Sequence, residues 1–346
     1  MNSNFHELTI RQLTEYSMLE TEKLFTEYPY KDFQLSQLNI PKEKITVFLR
    51  ETLYGKQIYN AGLREDGKLV GLLSARYQPW ISQLFGVNMY SLQHFITSDR
   101  EPGHYQAMLN YIMDQIADLD FLDCRVSSAD ISAIQALENA GFRFVGNEVY
   151  MVRPLVETPL PKSYGLTECI PCSDSLKTQV LNIVREIHFH NRYMYDPEVA
   201  RKDAIDIYSK YLSGVAFKPE YRSLIKCDGD RVVGFIFYKL NTALSQLVDG
   251  KYASLDFIGV NREIQNSGVG EDLNKAALFE LERSGVTHVV VRTFGNNYPA
   301  IRICQKVGFK ITSSDLHFHL WVRPQAQSKH RLHSSGQPFV DKCAIG

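Results

Sequence analysis

One pattern occurs twice along the 346 residues, and this repetition constrains the fold more than any other feature of the sequence. Residues 66–73 resemble residues 228–235, and each segment places an Asp-Gly turn between two apolar strands, as in a β-hairpin. Residues 137–154 resemble residues 304–324, and each segment has a helix that ends at a Gly-Phe pair and a strand that ends at Arg-Pro. We therefore expect two tandem copies of one fold of the α/β (α+β) class.

The domain boundaries follow from this repeat and from local composition. We expect the first copy at residues 1–155 and the second copy at residues 164–325. Residues 156–163 form a proline-rich linker, which is typically stiff and extended. Residues 326–346, which are rich in Ser, His, Lys and Gln, are expected to form a flexible tail.

Charge and composition limit the classes of partner. The chain has 38 Lys and Arg against 39 Asp and Glu, so no basic excess favours nucleic acid. The N-terminus lacks the charged-then-apolar layout of a signal peptide, and no apolar run approaches the length of a membrane span. These features predict a cytoplasmic protein that binds neither nucleic acid nor membrane. We expect it to be a monomer or a homodimer.

The six cysteines are too scattered for a disulfide scaffold. Cys169 and Cys172 form the one close pair, and a zinc site would need a second pair or histidines at matching spacing. We therefore predict no metal site.

A glycine loop in the second half indicates an anion site. The pattern predicts a strand at 253–260 and a helix at 269–284, joined by a loop that contains Gly268 and Gly270. The first N–H groups of a helix have no intrahelical partner, and glycines allow a bulky anion to approach the chain. A phosphate or pyrophosphate is the natural ligand, although an ordinary strand-to-helix turn would look the same.

A second motif follows the next predicted strand, 286–293. Asn297 caps a short helix that carries Ala300 and ends at Gly308 and Phe309. Gln-x-x-Gly-x-Gly after a strand, followed by Asn-x-x-Ala and Gly-Phe, resembles the acetyl-coenzyme-A site of the GNAT superfamily of N-acetyltransferases. The resemblance implies a mixed, mostly antiparallel sheet flanked by helices in each copy, with acetyl-CoA as cosubstrate.

The resemblance also implies which residues bind the coenzyme. Backbone groups at the end of the first strand of the site would bind the pantetheine arm and polarise the thioester carbonyl, and amides of the loop would bind the phosphates. The residues that match these positions are Ile258, Gly259, Val260, Gln265, Asn266, Ser267, Gly268, Val269, Gly270 and Asn297.

The general base and acid are less defined. Asp256 lies on an apolar strand, where a carboxylate is costly unless it is paired or faces a cleft, so it is a candidate base or a structural ion-pair partner. Many GNAT members carry a tyrosine four residues after the motif alanine, where it can act as the general acid that protonates the leaving sulfur. This chain has Cys304 at that position. Cys304 is either a thiol acid or a small buried helix residue. Tyr298 is a fallback donor.

The acceptor-binding residues are expected between two helices of the second copy. Residues 188–197 are dense in groups that stack and hydrogen-bond, and two histidines of the last strand lie on a common face. The candidate acceptor-binding residues are His190, Arg192, Tyr193, Tyr195, His317 and His319. This half is similar to the N-acetyltransferases of TDP-4-amino-4,6-dideoxy-D-galactose, which implies a nucleotide-linked amino sugar.

The first copy is expected to have lost coenzyme binding. Its equivalent loop contains Asp99, Glu101 and Pro102, and Asp130 stands where the later motif has asparagine. Acids repel phosphate and proline removes an N–H donor, so this copy is predicted to be structural or to shape the acceptor site.

The sequence therefore predicts an acetyl-CoA-dependent N-acetyltransferase that transfers the acetyl group directly to a small primary amine. The acceptor could instead be a peptide N-terminus, a polyamine or an aminoglycoside. A different class of function also fits, namely a non-catalytic acyl-CoA sensor or scaffold.

Overall fold

The computed structural model describes residues 8–13, 15–30, 38, 40–187, 190–215, 220–247 and 250–322. The predicted tail at 326–346 lies outside this range. The α-helices are α1 (Glu15–Glu27), α2 (Lys42–Glu51), α3 (Pro79–Phe85), α4 (Pro102–Gln115), α5 (Ile131–Asn139), α6 (Lys177–Glu186), α7 (Arg201–Val215), α8 (Thr242–Leu247), α9 (Val269–Arg283) and α10 (Tyr298–Lys306). Short 3₁₀ turns lie at Lys162–Leu166, Asp174–Leu176, Arg192–Tyr195 and Arg262–Ile264.

Twelve strands form one sheet in the order β1-β2-β3-β4-β5-β12-β6-β11-β10-β9-β8-β7. The strands are β1 (Leu8–Gln12), β2 (Ile58–Glu65), β3 (Lys68–Tyr77), β4 (Met89–Thr97), β5 (Phe121–Ser127), β6 (Arg143–Pro154), β7 (Ile170–Pro171), β8 (Tyr221–Asp228), β9 (Arg231–Leu240), β10 (Tyr252–Val260), β11 (His288–Phe294) and β12 (Lys310–Trp321). The pairs β4–β5 and β10–β11 are parallel and the other pairs are antiparallel. This mixed, mostly antiparallel sheet flanked by helices confirms the predicted fold class.

The two central strands of the sheet are exchanged between the halves of the chain. Strand β6, which ends the first half, pairs with β11 of the second half. Strand β12, which ends the second half, pairs with β5 of the first half. The two exchanged strands also pair with each other, with Glu148 opposite Asp315. The boundary near residue 155 stays a prediction, but the sheet is continuous across it.

The parallel pair β10–β11 separates part of the way along. Its last paired residues are Leu255 and Val291, although β10 continues to Val260. A β-bulge between Leu255 and Phe257 places Asp256 opposite no single residue of β9, and bulges bend a strand away from its neighbour. The result is an opening between the carboxyl ends of β10 and β11.

Helices cover both faces of the sheet around this opening. Strand β9 alternates, with Ile236 and Tyr238 packed in one apolar cluster and Phe235 and Phe237 in another. The first cluster also contains residues of α9 and α10, and the second contains residues of α6 and α7. The opening therefore lies between two packed layers that hold its walls in place.

The corresponding place in the first half is filled by side chains. Strands β4 and β5 also stop pairing after four residues, at Leu92 and Cys124. Tyr105 from α4 is fully buried there among apolar residues. Asp130 caps α5 by accepting from the N–H of Ala133 at 3.2 Å, and it also accepts from the Tyr28 hydroxyl. Side chains therefore occupy this place, and the loss of coenzyme binding by the first half stays a prediction.

Across the ranges that the structure describes, no helix combines the length and apolar character needed to cross a membrane. The same residues hold no group of three or more His, Cys, Asp and Glu side chains placed to ligate a metal ion.

Candidate active site

The loop before α9 presents unpaired backbone amides. Gly268 is the N-cap of α9 with φ +91°, a left-handed conformation that glycine adopts at no steric cost. Asn266 also has a positive φ, of 66°. Among the described residues, the N–H groups from Asn266 to Gly270 donate to no acceptor. They therefore lie at the positive end of the helix, free to bind an anion.

Side chains fix this loop from within. The Ser267 hydroxyl donates to the Ile264 carbonyl at 2.6 Å, and the Asn261 side chain accepts from the N–H of Glu263 at 3.0 Å. Gly270 has a different role from Gly268, because a Cβ there would lie 3.0 Å from Cδ1 of Ile303 in α10. Gly270 thus allows α9 and α10 to approach each other beside the opening.

A cleft of about 110 Å³ occupies the opening between β10 and β11. One side is formed by the bulged end of β10, and the other by the end of β11 and by α10. The residues that line it are Glu148, His190, Tyr208, Ile236, Leu255, Asp256, Phe257, Ile258, Asn274, Val291, Arg292, Thr293, Phe294, Asn297, Ala300, Ile303 and Cys304. Four residues singled out from the second-half motifs, Asp256, Ile258, Asn297 and Cys304, therefore meet at one site.

Asp256 is held at the bulge by two neighbours. Its Oδ2 accepts from the Tyr221 hydroxyl at 2.9 Å and lies 3.2 Å from Nζ of Lys239. Burial and the nearby carboxylate raise the pKa of Tyr221 well above its ordinary value, so this hydroxyl stays protonated as a donor. No hydrogen bond or ion pair of Oδ1 of Asp256 is found among the described residues, so this oxygen is available to a ligand in the cleft.

Cys304 lies in α10 with apolar neighbours. It is buried within the cluster that contains Leu273, Val291 and Val307. Burial raises the pKa of the Cys304 thiol to about 12. A thiol with that pKa is a weak acid and carries almost no thiolate near pH 7, which favours the packing role over proton transfer.

Three ionisable residues of the cleft were not found from the sequence. Tyr208 projects from α7, and burial raises its pKa to about 12, so it remains a proton donor. Glu148 comes from the exchanged strand β6 and Arg292 from β11. Glu148 lies in the strand that ends at Arg153-Pro154, and nothing local indicated that this strand pairs with the other half of the sheet.

Glu148 is the centre of a buried polar cluster. Its Oε2 lies 3.0 Å from Nε2 of His317, 3.3 Å from Nε of Arg292 and 3.9 Å from Nη1 of Arg125. Burial alone would raise the pKa of Glu148, but Arg292 and His317 hold it well below its ordinary value. Burial lowers the pKa of His317, which is only partly offset by Glu148. The cluster therefore contains a carboxylate and a neutral imidazole near pH 7.

The structure separates the predicted acceptor-binding residues into two groups. His190 lines the cleft, and its Nδ1 lies 2.6 Å from the hydroxyl of Tyr195, whose ring packs 6.0 Å from that of Phe294. His317 reaches the cleft indirectly, through Glu148.

The second group lies deeper in the fold. Tyr193 is buried against Phe121, and Nε of Arg192 contacts Asp123 at 2.6 Å. Nδ1 of His319 lies 2.6 Å from Oδ2 of Asp196. Neither these residues nor their partners line the cleft among the described residues.

The fold and the cleft are similar to those of acetyltransferases of the GNAT type. Residues 179–309 match the model of the acetyltransferase (GNAT) family. This range contains the opening between β10 and β11, the loop before α9, and the helices α9 and α10. The protein is an N-acetyltransferase, and members of this family use acetyl-CoA as cosubstrate.

Three relatives extend the comparison beyond this range. The chain is 21% identical over 299 residues to the spore coat polysaccharide biosynthesis protein SpsD of Bacillus subtilis (strain 168), covering 84% of this chain and 98% of that protein. A tandem GNAT protein from the clavulanic acid biosynthesis pathway superposes with a TM-score of 0.54 at 14% identity, covering 92% and 99% of the two chains. A GCN5-related glucosamine N-acetyltransferase region of a fungal multi-domain GH3 β-N-acetylglucosaminidase superposes with a TM-score of 0.58 at 12% identity, covering 91% of this chain and 38% of that one.

Proposed function

We propose that the protein transfers an acetyl group from acetyl-CoA directly to the primary amine of an amino sugar. The observation that carries this proposal is the combination of unpaired amides at the start of α9 with a cleft between β10 and β11, which is lined by a carboxylate that has one unpaired oxygen. An acetyl transfer of this kind needs an anion site for the coenzyme and a proton acceptor for the amine.

The coenzyme would bind along the end of β10. The loop amides from Gln265 to Gly270 would hold the pyrophosphate at the start of α9. The unpaired edge of residues 258–260 would hydrogen-bond the pantetheine arm, and Asn297 would line the opposite wall. Gly259 is required there because a Cβ would lie 2.4 Å from the ring of Phe235.

Asp256 would accept the proton from the attacking amine. Tyr221 and Lys239 hold one carboxylate oxygen, so the other is oriented toward the cleft. Cys304 would not carry the acetyl group, because its raised pKa leaves the thiol protonated. This supports direct transfer between two substrates held side by side.

The charges of the cleft favour a sugar over a polycation. Asp256 is paired with Lys239, and Glu148 is paired with Arg292. Each carboxylate of the lining is therefore paired with a cation, which weakens the attraction of the cleft for a polyamine or an aminoglycoside. The aromatic rings of Tyr195 and Phe294 offer flat apolar surfaces of the kind that pack against a sugar ring. The names of two relatives, in polysaccharide biosynthesis and glucosamine acetylation, point in the same direction.

The test is thiol release from acetyl-CoA with a panel of amines: glucosamine, a nucleotide-linked 4-amino sugar, spermidine, an aminoglycoside and a peptide with a free N-terminus. We expect turnover with at least one amino sugar and none with spermidine. Asp256→Asn should abolish most turnover, and Asp99→Asn in the equivalent loop of the first half is the matched control that should not. Coenzyme binding without thiol release from any amine would refute the proposal in favour of an acyl-CoA sensor.

A further inference from the structure

Arg292 presents a partly accessible guanidinium to the cleft. Arg292 lines the opening, and 36% of its side-chain surface is accessible to solvent. Its Nε lies 3.3 Å from Oε2 of Glu148, and its guanidinium carbon lies 6.0 Å from the centre of the Tyr150 ring. A guanidinium has five N–H donors, and the contact with Glu148 occupies one edge. A buried partner therefore holds one edge of the guanidinium, while the Arg292 side chain stays partly accessible.

The partner comes from the other half of the chain. Glu148 is 7% exposed and lies on the exchanged strand β6, directly beside β11. His317 and Arg125 also contact its Oε2, so its single negative charge is shared among several neighbours. The side chain of Arg292 is therefore fixed in direction while its charge is only partly compensated.

Arg292 and Asp256 lie on the two strands that border the opening, and both line the cleft. They follow the last paired residues, Val291 and Leu255, so each is the first residue beyond the end of the parallel ladder. Neighbouring strands are about 5 Å apart at such a position, and the gap widens beyond it. An acceptor whose amine approaches Asp256 would thus place a group on the far side of the same sugar ring near Arg292.

We propose that Arg292, oriented by Glu148 of the first half, binds an anionic group of the acceptor, either a phosphate or a carboxylate. A planar guanidinium presents its N–H donors in a fixed fork, which matches two oxygens of such a group. This inference rests on the proposed function and narrows it to amino sugars that carry an anionic substituent. It also gives the first half a role, because strand β6 supplies the residue that positions Arg292.

The structure provides a matched control within the same cluster. Nε of Arg125 on β5 lies 3.4 Å from Oδ2 of Asp315 on the neighbouring strand β12. This ion pair between adjacent strands resembles the pair of Arg292 on β11 with Glu148 on β6. Arg125 does not line the cleft among the described residues. Arg125→Gln thus removes a cation from the same cluster and its 3.9 Å contact with Glu148, while the closer 3.3 Å contact between Arg292 and Glu148 stays in place.

The experiment compares kcat/KM for glucosamine, glucosamine 1-phosphate, glucosamine 6-phosphate and 2-amino-2-deoxyglucuronic acid in the full chain. We expect at least one anionic acceptor to be preferred over glucosamine by about 10- to 100-fold, which is the range of a charge-assisted bidentate contact. Arg292→Gln should reduce that preference at least tenfold through KM, Arg292→Lys should restore part of it, and Arg125→Gln should retain it. The preferred anion then distinguishes phosphate from carboxylate.

Equal use of neutral and anionic sugars by the wild-type protein would overturn the inference while leaving the proposed function intact. If no amino sugar is acetylated, the proposed function fails, and Arg292 is tested separately by calorimetry of inorganic phosphate and of acetate with the coenzyme-A-saturated protein. Binding of either anion that is lost in Arg292→Gln but kept in Arg125→Gln would support the subsite. Equal binding or no binding in all three proteins would refute it.

Discussion

The proposed phosphate site at the start of α9 can be tested with two variants of Gly268. Their side chains have nearly the same shape, but one carries a carboxylate and the other a neutral amide. Gly268→Asp and Gly268→Asn both place a side chain where a Cβ meets nothing within 4 Å, so neither is excluded by crowding. Both also force a non-glycine residue to φ +91°, which costs roughly 1 kcal/mol of stability. Both variants therefore carry the same backbone cost. The difference between their affinities for coenzyme A measures the effect of the carboxylate charge.

The size of that difference follows from Coulomb's law. A carboxylate about 6 Å from a phosphate charge is repelled by about 1.4 kcal/mol at an effective dielectric constant of about 40. A pyrophosphate carries about two such charges, which gives about 3 kcal/mol, or roughly a 100-fold weaker affinity for coenzyme A. Gly268→Asn should bind within a few-fold of the wild-type protein.

Calorimetric titration with coenzyme A at low salt measures the effect, and thermal unfolding of the two variants confirms that they remain folded alike. The gap between Asp and Asn should shrink as salt is added, because the loop is exposed and the repulsion is screened. If the two variants bind coenzyme A equally at low salt, the pyrophosphate does not lie on this loop, and the assignment of residues 265–270 fails.

Three further predictions concern single side chains. Asp256→Asn should lower kcat by about 10²- to 10⁴-fold with the coenzyme Kd unchanged, as measured by thiol release and calorimetry, and a loss below tenfold would exclude a role as general base. Cys304→Ala should cost about 1 kcal/mol in urea unfolding and change kcat only a few-fold, because the thiol packs in an apolar cluster; a large loss of kcat at normal stability would instead restore its role as an acid. The pKa of Glu148 is lowered in the folded protein, so its stabilising contribution is present above its ordinary pKa of about 4.5 and is lost as pH falls below that value. Urea unfolding between pH 3 and 7 should therefore show a shallower acid-side decline for Glu148→Gln than for the wild-type protein, and parallel curves would contradict the assignment.

Local sequence determined the parts of the site that depend on backbone conformation. The glycine loop, its flanking strand and α9 were expected within one residue of where they lie, because period-2 and period-3.6 apolar patterns change at Gly268. The requirement for glycine at 268 and 270 was also evident, but the reason for Gly270 was not. Its contact with Ile303 of α10 exists only once both helices pack on the same face.

Side chains that meet across the fold were harder to assign. Residues 190–195 were expected to bind the acceptor because of their composition, yet the structure brings His190 to the cleft lining and buries Tyr193 in the apolar core. Composition indicates which groups can stack or hydrogen-bond, but burial decides which of them face a ligand. The same limit applies to Cys304, whose pKa depends on the apolar neighbours that surround it.

The sequence by itself determined the α/β class, the repeated pattern and the glycine loop before α9, since each depends on residues that are close in the chain. The tertiary structure alone decided that β6 and β12 change places at the centre of the sheet, which brings Glu148 of the first half beside Arg292 of the second. Strand pairing is satisfied by backbone groups that are the same in every residue, so the local pattern specifies a strand without specifying its neighbour. The composition of the cleft was therefore settled by long-range packing of the whole sheet.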